Sequence, residues 1–196
     1  MKREQFELTK IKVDKEGRVE CFWRKQVTDG DAAYYDKCSL DSPRLCSPDL
    51  REILSSLREI LAHTNQLYIH KKIETFEPSL RAKIEDKDGQ RIMKKLDEAV
   101  LESMQVSGVS MGGDLETGWC VITGTHKAWN TAMAMNSPKI SLSADTFMIE
   151  NQLKSILVDL SDEAYAYAYE DKGAEKTLFK KAAAGSEEDR EGLQEA

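Results

Sequence analysis

No CxxC pair and no finger-like spacing relates the four cysteines, Cys21, Cys38, Cys46 and Cys120. A bridge between Cys38 and Cys46 stays open, but a cytosolic chain keeps both thiols reduced. The three histidines add no metal site: His63 and His70 are seven apart, too far for an HxxxH pair, and His126 stands alone. No metal and no cofactor are therefore expected. No run approaches the roughly 18 uncharged apolar residues of a membrane helix, so no membrane is expected as a partner. No apolar stretch follows the charged MKREQFELTK opening, which argues against a secretory leader and for a cytoplasmic protein. Net positive charge is also lacking. At −7, the chain is not one that coats nucleic acid over its whole surface, although a local basic groove remains compatible with that balance.

Catalytic signatures are missing too. There is no GxSxG, HExxH, GxGxxG, Walker or kinase motif. Asp159 and Glu163 lie one helical turn apart near Asp162 and would approach a metal together, but no second acidic cluster completes a two-metal site. The missing motifs favour a non-enzymatic reading, while catalysis by residues far apart in sequence, which leave no motif, stays open.

What is present is a core-forming chain: 196 residues, 40% hydrophobic and 32% charged. The expected organisation is one domain over 1–173, with a possible insertion at 66–105, then a flexible acidic tail over 174–196. The organising stretch is 106–125, VSGVSMGGDLETGWCVITGT. Two runs of β-formers flank a Gly-Gly-Asp turn, which predicts a hairpin pairing 106–111 with 119–124. Trp119, Val121 and Thr123 share one face, Cys120 and Ile122 the other, so a central strand covered on both sides is expected.

Earlier in the chain, FELTKIKV (6–13) and RVECFWRKQV (18–27) read as two strands joined by Asp14-Lys15-Glu16-Gly17. Val19, Cys21 and Trp23 share one face of the second; Glu20, Phe22 and Arg24 share the other. The apolar phase of the first strand shifts near Thr9 and Lys10, which suggests a bulge. Residues 32–38 supply a third strand. Ser47-Pro48-Asp49 is a helix start, and Leu50, Ile53, Leu54, Leu57, Ile60 and Leu61 continue as one helical stripe. Asp88 caps a second helix, with Ile92, Met93, Leu96, Val100 and Met104 on one side. Residues 128–137 have no assigned structure, and a short strand follows around Ile140. A long helix over 146–172, on the order of 40 Å, ends the domain at Gly173.

Lys71, Lys72, Arg81, Lys83, Arg91, Lys94 and Lys95 make 71–95 the most basic region. Interleaved Glu74, Glu77, Glu85 and Asp86 fit an ordinary solvated helix face; the functional alternative is a nucleic-acid-facing surface. Tyr165 and Tyr169, one turn apart, would pack on the sheet or a dimer mate, or else stack on bases or a partner chain.

Three stretches, FELTKIKV with RVECFW, VSGVSMGG with GWCVITG, and EAYAYAYEDKGAEKTLF, together resemble small proteins encoded by tailed phages and prophages of gut bacteria. The resemblance covers most of the chain outside 67–105 and the acidic tail. It implies a phage-derived accessory protein and brings no catalytic residues. Residues 175–179 also resemble, in part, peptides that dock on the bacterial replication sliding clamp. Leu178 and Phe179 fit that pattern, whereas Glu175 and Lys176 replace its usual Gln and Leu. The acidic end is similar to the tails of single-stranded-DNA-binding proteins, without their terminal hydrophobic residue.

The expected fold is α+β: an antiparallel sheet of about five to six strands with helices packed on it and a long C-terminal helix. The order strands–helix–strands–helix hints at two similar halves, although their residue patterns do not repeat. The expected function is a non-enzymatic phage-type accessory of DNA replication or recombination. It would bind nucleic acid through the 71–95 cations, or a host or phage replication protein through Leu178, Phe179, Tyr165 and Tyr169. The alternative is a protein-interaction or anti-defence adaptor that binds a host protein and no DNA, and a homo-oligomer is compatible with either.

Overall fold

The structure, a computed structural model, describes residues 3–29, 32–68, 87–128, 131–143 and 150–170. Over these residues the fold is α+β, with seven strands in antiparallel ladders and four α-helices. The chain divides into two compact units, one of residues 1–53 with 158–196 and one of residues 54–157.

In the first unit β1 (Phe6–Val13), β2 (Arg18–Asp29) and β3 (Ala32–Leu45) form an antiparallel meander. The phase shift of β1 is a bulge: the register slips between Leu8 and Lys10, and Thr9 donates its hydroxyl to the Phe22 carbonyl at 2.9 Å. One inserted residue reverses the alternation, so Phe6 and Leu8 before it and Ile11 after it are all buried. Val19, Cys21 and Trp23 of β2 are buried with them. In the β1–β2 turn, Asp14 Oδ1 accepts from the Glu16 and Arg18 amides at 2.8 Å each. β3 runs past the expected Cys38 to Leu45, and its ladder skips residues 43 and 44, where Pro43 has no N–H to give.

The predicted helix start is the start of α1 (Pro48–Ser56): Ser47 Oγ accepts from the Leu50 amide at 3.1 Å. The single stripe expected through Leu61 is interrupted. The Leu57 amide bonds the Leu54 carbonyl at 3.3 Å, a tighter i→i−3 turn, and α2 (Arg58–Thr64) begins afresh. Leu50, Leu54, Leu57, Ile60 and Leu61 are nonetheless all buried. Burial follows the stripe even where the helix does not.

The second unit holds α2, α3 (Lys87–Glu102), β4 (Met104–Gly112), β5 (Trp119–Ala128), β6 (Thr131–Asn136) and β7 (Ile140–Ser141). The expected hairpin is β4–β5, with Val106 opposite Gly124 and Met111 opposite Cys120. Met104 opens β4 instead of closing the preceding helix, and the unassigned stretch after residue 128 contains β6. β5 is central, paired with β4 on one side and with β6 and β7 on the other. Its two faces are not equally covered: Cys120, Ile122 and Gly124 are buried, Trp119, Val121 and Thr123 only half-buried.

Two small residues fix this unit. Ser137 bonds Ile122 twice, its amide donating to the Ile122 carbonyl at 2.8 Å and its Oγ accepting from the Ile122 amide at 2.9 Å. It thereby carries the ladder from β6 to β7. Gly124 admits a close approach: a Cβ there would lie 2.5 Å from the Gln105 carbonyl oxygen and 2.9 Å from Leu61 Cδ2.

The last helix, α4, is described over Glu150–Tyr169, 20 residues and about 30 Å, and the expected start at 146–149 lies outside the described residues. Leu153, Ile156, Leu157, Leu160, Ala164 and Tyr167 are buried at the predicted helical period. Phe147, Ile149 and Gly173 lie outside the described residues. Among the described residues no helix is long and apolar enough to cross a membrane.

Candidate nucleic-acid interface

The outward face of the β1–β3 meander combines rings and cations. Antiparallel register puts Lys10 and Ser39 beside Phe22, Glu7 and Lys37 beside Arg24, and Tyr35 beside Gln26, all on the side opposite Val19, Cys21 and Trp23. Phe22 is 39% exposed and Tyr35 52%, high values for large rings. Lys10 Nζ sits 5.2 Å from the Phe22 ring centroid, and Arg24 Cζ 5.3 Å from that of Tyr35. Arg24 also pairs with Glu7, and Lys12 pairs with Glu20 at 3.7 Å. With those carboxylates answered, Lys10 and Lys37 outnumber the remaining one on the face, Asp41. The face is locally positive on an acidic chain.

The alternation of Glu20, Phe22 and Arg24 was legible in the sequence. Their neighbours were not, because the placement of Lys10 depends on the Thr9 bulge and that of Tyr35 and Lys37 on the β2–β3 register.

Of the cations expected to bind nucleic acid, Arg91, Lys94 and Lys95 stand exposed on α3. Lys94 is paired with Glu98 at 4.0 Å across one helical turn. Lys71, Lys72, Arg81 and Lys83 lie outside the described residues, as do Leu178 and Phe179. Ile92 and Leu96, expected on the core side of α3 with Met93, are 57% and 41% exposed while Met93 is buried.

Tyr165 and Tyr169 come together, ring centroids 5.1 Å apart, against the unit's own strands. Phe6 meets Tyr165 edge-on at 5.5 Å, and Trp23 Nε1 donates to the Tyr169 hydroxyl at 3.2 Å. Arg3 lies 5.6 Å from the Tyr165 ring and is paired with Asp162. This is the sheet-packing alternative for these tyrosines, although Tyr169 keeps 41% of its surface exposed.

The groups with nucleophilic chemistry are engaged elsewhere. Burial pushes the Cys21 thiol up to about 12 and that of Cys120 to about 11, and burial raises Cys46 against the opposing pull of Arg51. At neutral pH these three are thiols, not thiolates. Tyr167, also raised by burial, accepts from the Ser47 amide at 2.5 Å and donates to the Leu45 carbonyl at 3.2 Å. Ser47 Oγ caps α1 and donates to Glu163 at 3.4 Å. Of the three carboxylates considered for a metal, Asp162 is therefore held by Arg3 and Glu163 by Ser47. Among the described residues no group of three or more His, Cys, Asp or Glu is placed to hold a metal ion. Compared with known protein families, curated proteins and solved structures, the chain matches none.

Proposed function

We propose that this protein is a non-enzymatic, phage-type accessory of DNA replication or recombination that binds nucleic acid in the cytoplasm. The observation that carries the reading is the outer face of β1–β3, where Lys10 and Arg24 lie over exposed rings and Lys37 stands beside them. Cations among aromatics meet both parts of a nucleic acid, its phosphates and its bases. Lys10 and Lys37, with Arg24 paired to Glu7 as a third cation, correspond to a shallow salt dependence, a slope of about −1.4 to −2 in log K against log salt on single strands. Fluorescence anisotropy of labelled oligonucleotides at low and moderate salt tests this. Salt-sensitive binding that falls at least threefold in Lys10→Glu with Lys37→Glu is the expected result. No binding at low salt removes the proposal.

A second reading, an adaptor that binds a host protein and no DNA, is favoured by α3. Ile92 and Leu96 are exposed one turn apart, an apolar pair of the kind that anchors helix-in-groove recognition. Ile92→Asp with Leu96→Asp separates the two: under this reading it abolishes partner capture, and under the first it leaves oligonucleotide affinity unchanged.

A further inference from the structure

Resting on the proposed nucleic-acid reading, we infer that the face selects single strands by stacking bases on Phe22 and Tyr35. Both rings belong to strands, not loops, and so are presented at fixed positions. Tyr35 stands opposite Gln26, four residues along β2 from Phe22. At roughly 3.3 Å per residue and 4.8 Å between strands, the two rings lie about 14 Å apart. A stacked strand advances about 3.4 Å per nucleotide, so the rings are separated by roughly four nucleotide steps, and by fewer in a stretched strand. Between them Arg24 lies over Tyr35, and a guanidinium plane is itself a stacking surface for a base.

The magnitudes decide for stacking over charge. Arg24 and Lys12 are already paired with Glu7 and Glu20, leaving Lys10 and Lys37 against Asp41. Two to three phosphate contacts make only a weak electrostatic term. Each base on an aromatic platform adds about tenfold or more. A duplex keeps its base faces inside the stack and offers a flat sheet only phosphates and groove edges. A single strand offers the faces themselves.

The experiment is anisotropy of the full chain with three labelled probes: oligothymidylate, an abasic strand of the same length, and a hairpin duplex. Expected is at least tenfold tighter binding of oligothymidylate than of the other two. Phe22→Ala and Tyr35→Ala should each lose about tenfold on oligothymidylate with the salt slope unchanged, while Phe22→Tyr and Tyr35→Phe retain it. Equal binding of the abasic strand or the duplex overturns stacking and leaves the nucleic-acid reading standing, as do alanine variants of undiminished affinity. No binding of any probe at low salt overturns both.

Discussion

The two units use the same hairpin and finish it differently. In each, the first strand carries a slip: between Leu8 and Lys10 in β1, between Val106 and Gly108 in β4. In each, a hydroxyl residue at the slip donates to a carbonyl of the partner strand, Thr9 to Phe22 at 2.9 Å and Ser107 to Thr123 at 3.3 Å. In each, an aspartate carboxylate closes the turn by accepting from the amide two residues on, Asp14 from Glu16 and Asp114 from Glu116. The outward faces then diverge. β2 presents exposed Phe22 and half-buried Arg24 with Lys10 beside them, whereas β5 presents half-buried Val121 and Thr123 together with half-buried Trp119, over which Lys139 lies at 4.4 Å. A shared backbone device builds both hairpins, and the side chains that alternation sends outward make the first of them a candidate surface.

The severest way to break this likeness is to remove one core side chain from each unit. Ile11 and Leu61 are both fully buried. Ile11→Ala and Leu61→Ala should each cost about 2–5 kcal/mol in denaturant titration; a loss below about 1 kcal/mol would show that the residue's unit is not held by its own core. A milder probe compares the slips themselves. Thr9→Val and Ser107→Ala should each lose about 0.5–1.5 kcal/mol, and a loss confined to one of them would end the equivalence of the two hydroxyls.

The smallest effect concerns the turns. The Asp114 carboxyl is held below the usual carboxylate range, first by the Thr117 amide and hydroxyl and then by the Glu116 amide. A lowered folded pKa gives stability that is present above the unfolded value and lost as pH falls through the folded one. Asp114→Asn should therefore lower the urea midpoint slightly at neutral pH and lessen its decline below about pH 4. An identical acid decline in both proteins would show that the turn carboxylate is not linked to folding.

Sequence period alone located β1, β2, the β4–β5 hairpin and the buried stripe of α4, because alternation and helical spacing are local. The break at Leu57 was invisible, since it is one tightened hydrogen bond inside an unbroken apolar stripe. β6 was missed because its burial is low and its TAMAMN sequence lacks β-branched residues beyond Thr131. The likeness of the halves was legible only as element order, because its detail resides in Thr9 matching Ser107 and in turns of different length, not in recurring letters. For the candidate face, Phe22 and Arg24 were legible as neighbours, while Tyr35 entered only through pairing across strands.

Tyr167 carries a consequence for the order in which the protein can be made. Its hydroxyl ties Leu45 and Ser47 to a residue 122 and 120 positions later in the chain. The first unit is therefore discontinuous, its N-terminal meander left without its helix until residues 158–169 have been synthesised. The second unit, being continuous, is whole before that. On a ribosome adding residues from the N-terminus, the unit that begins the chain is the last one able to close.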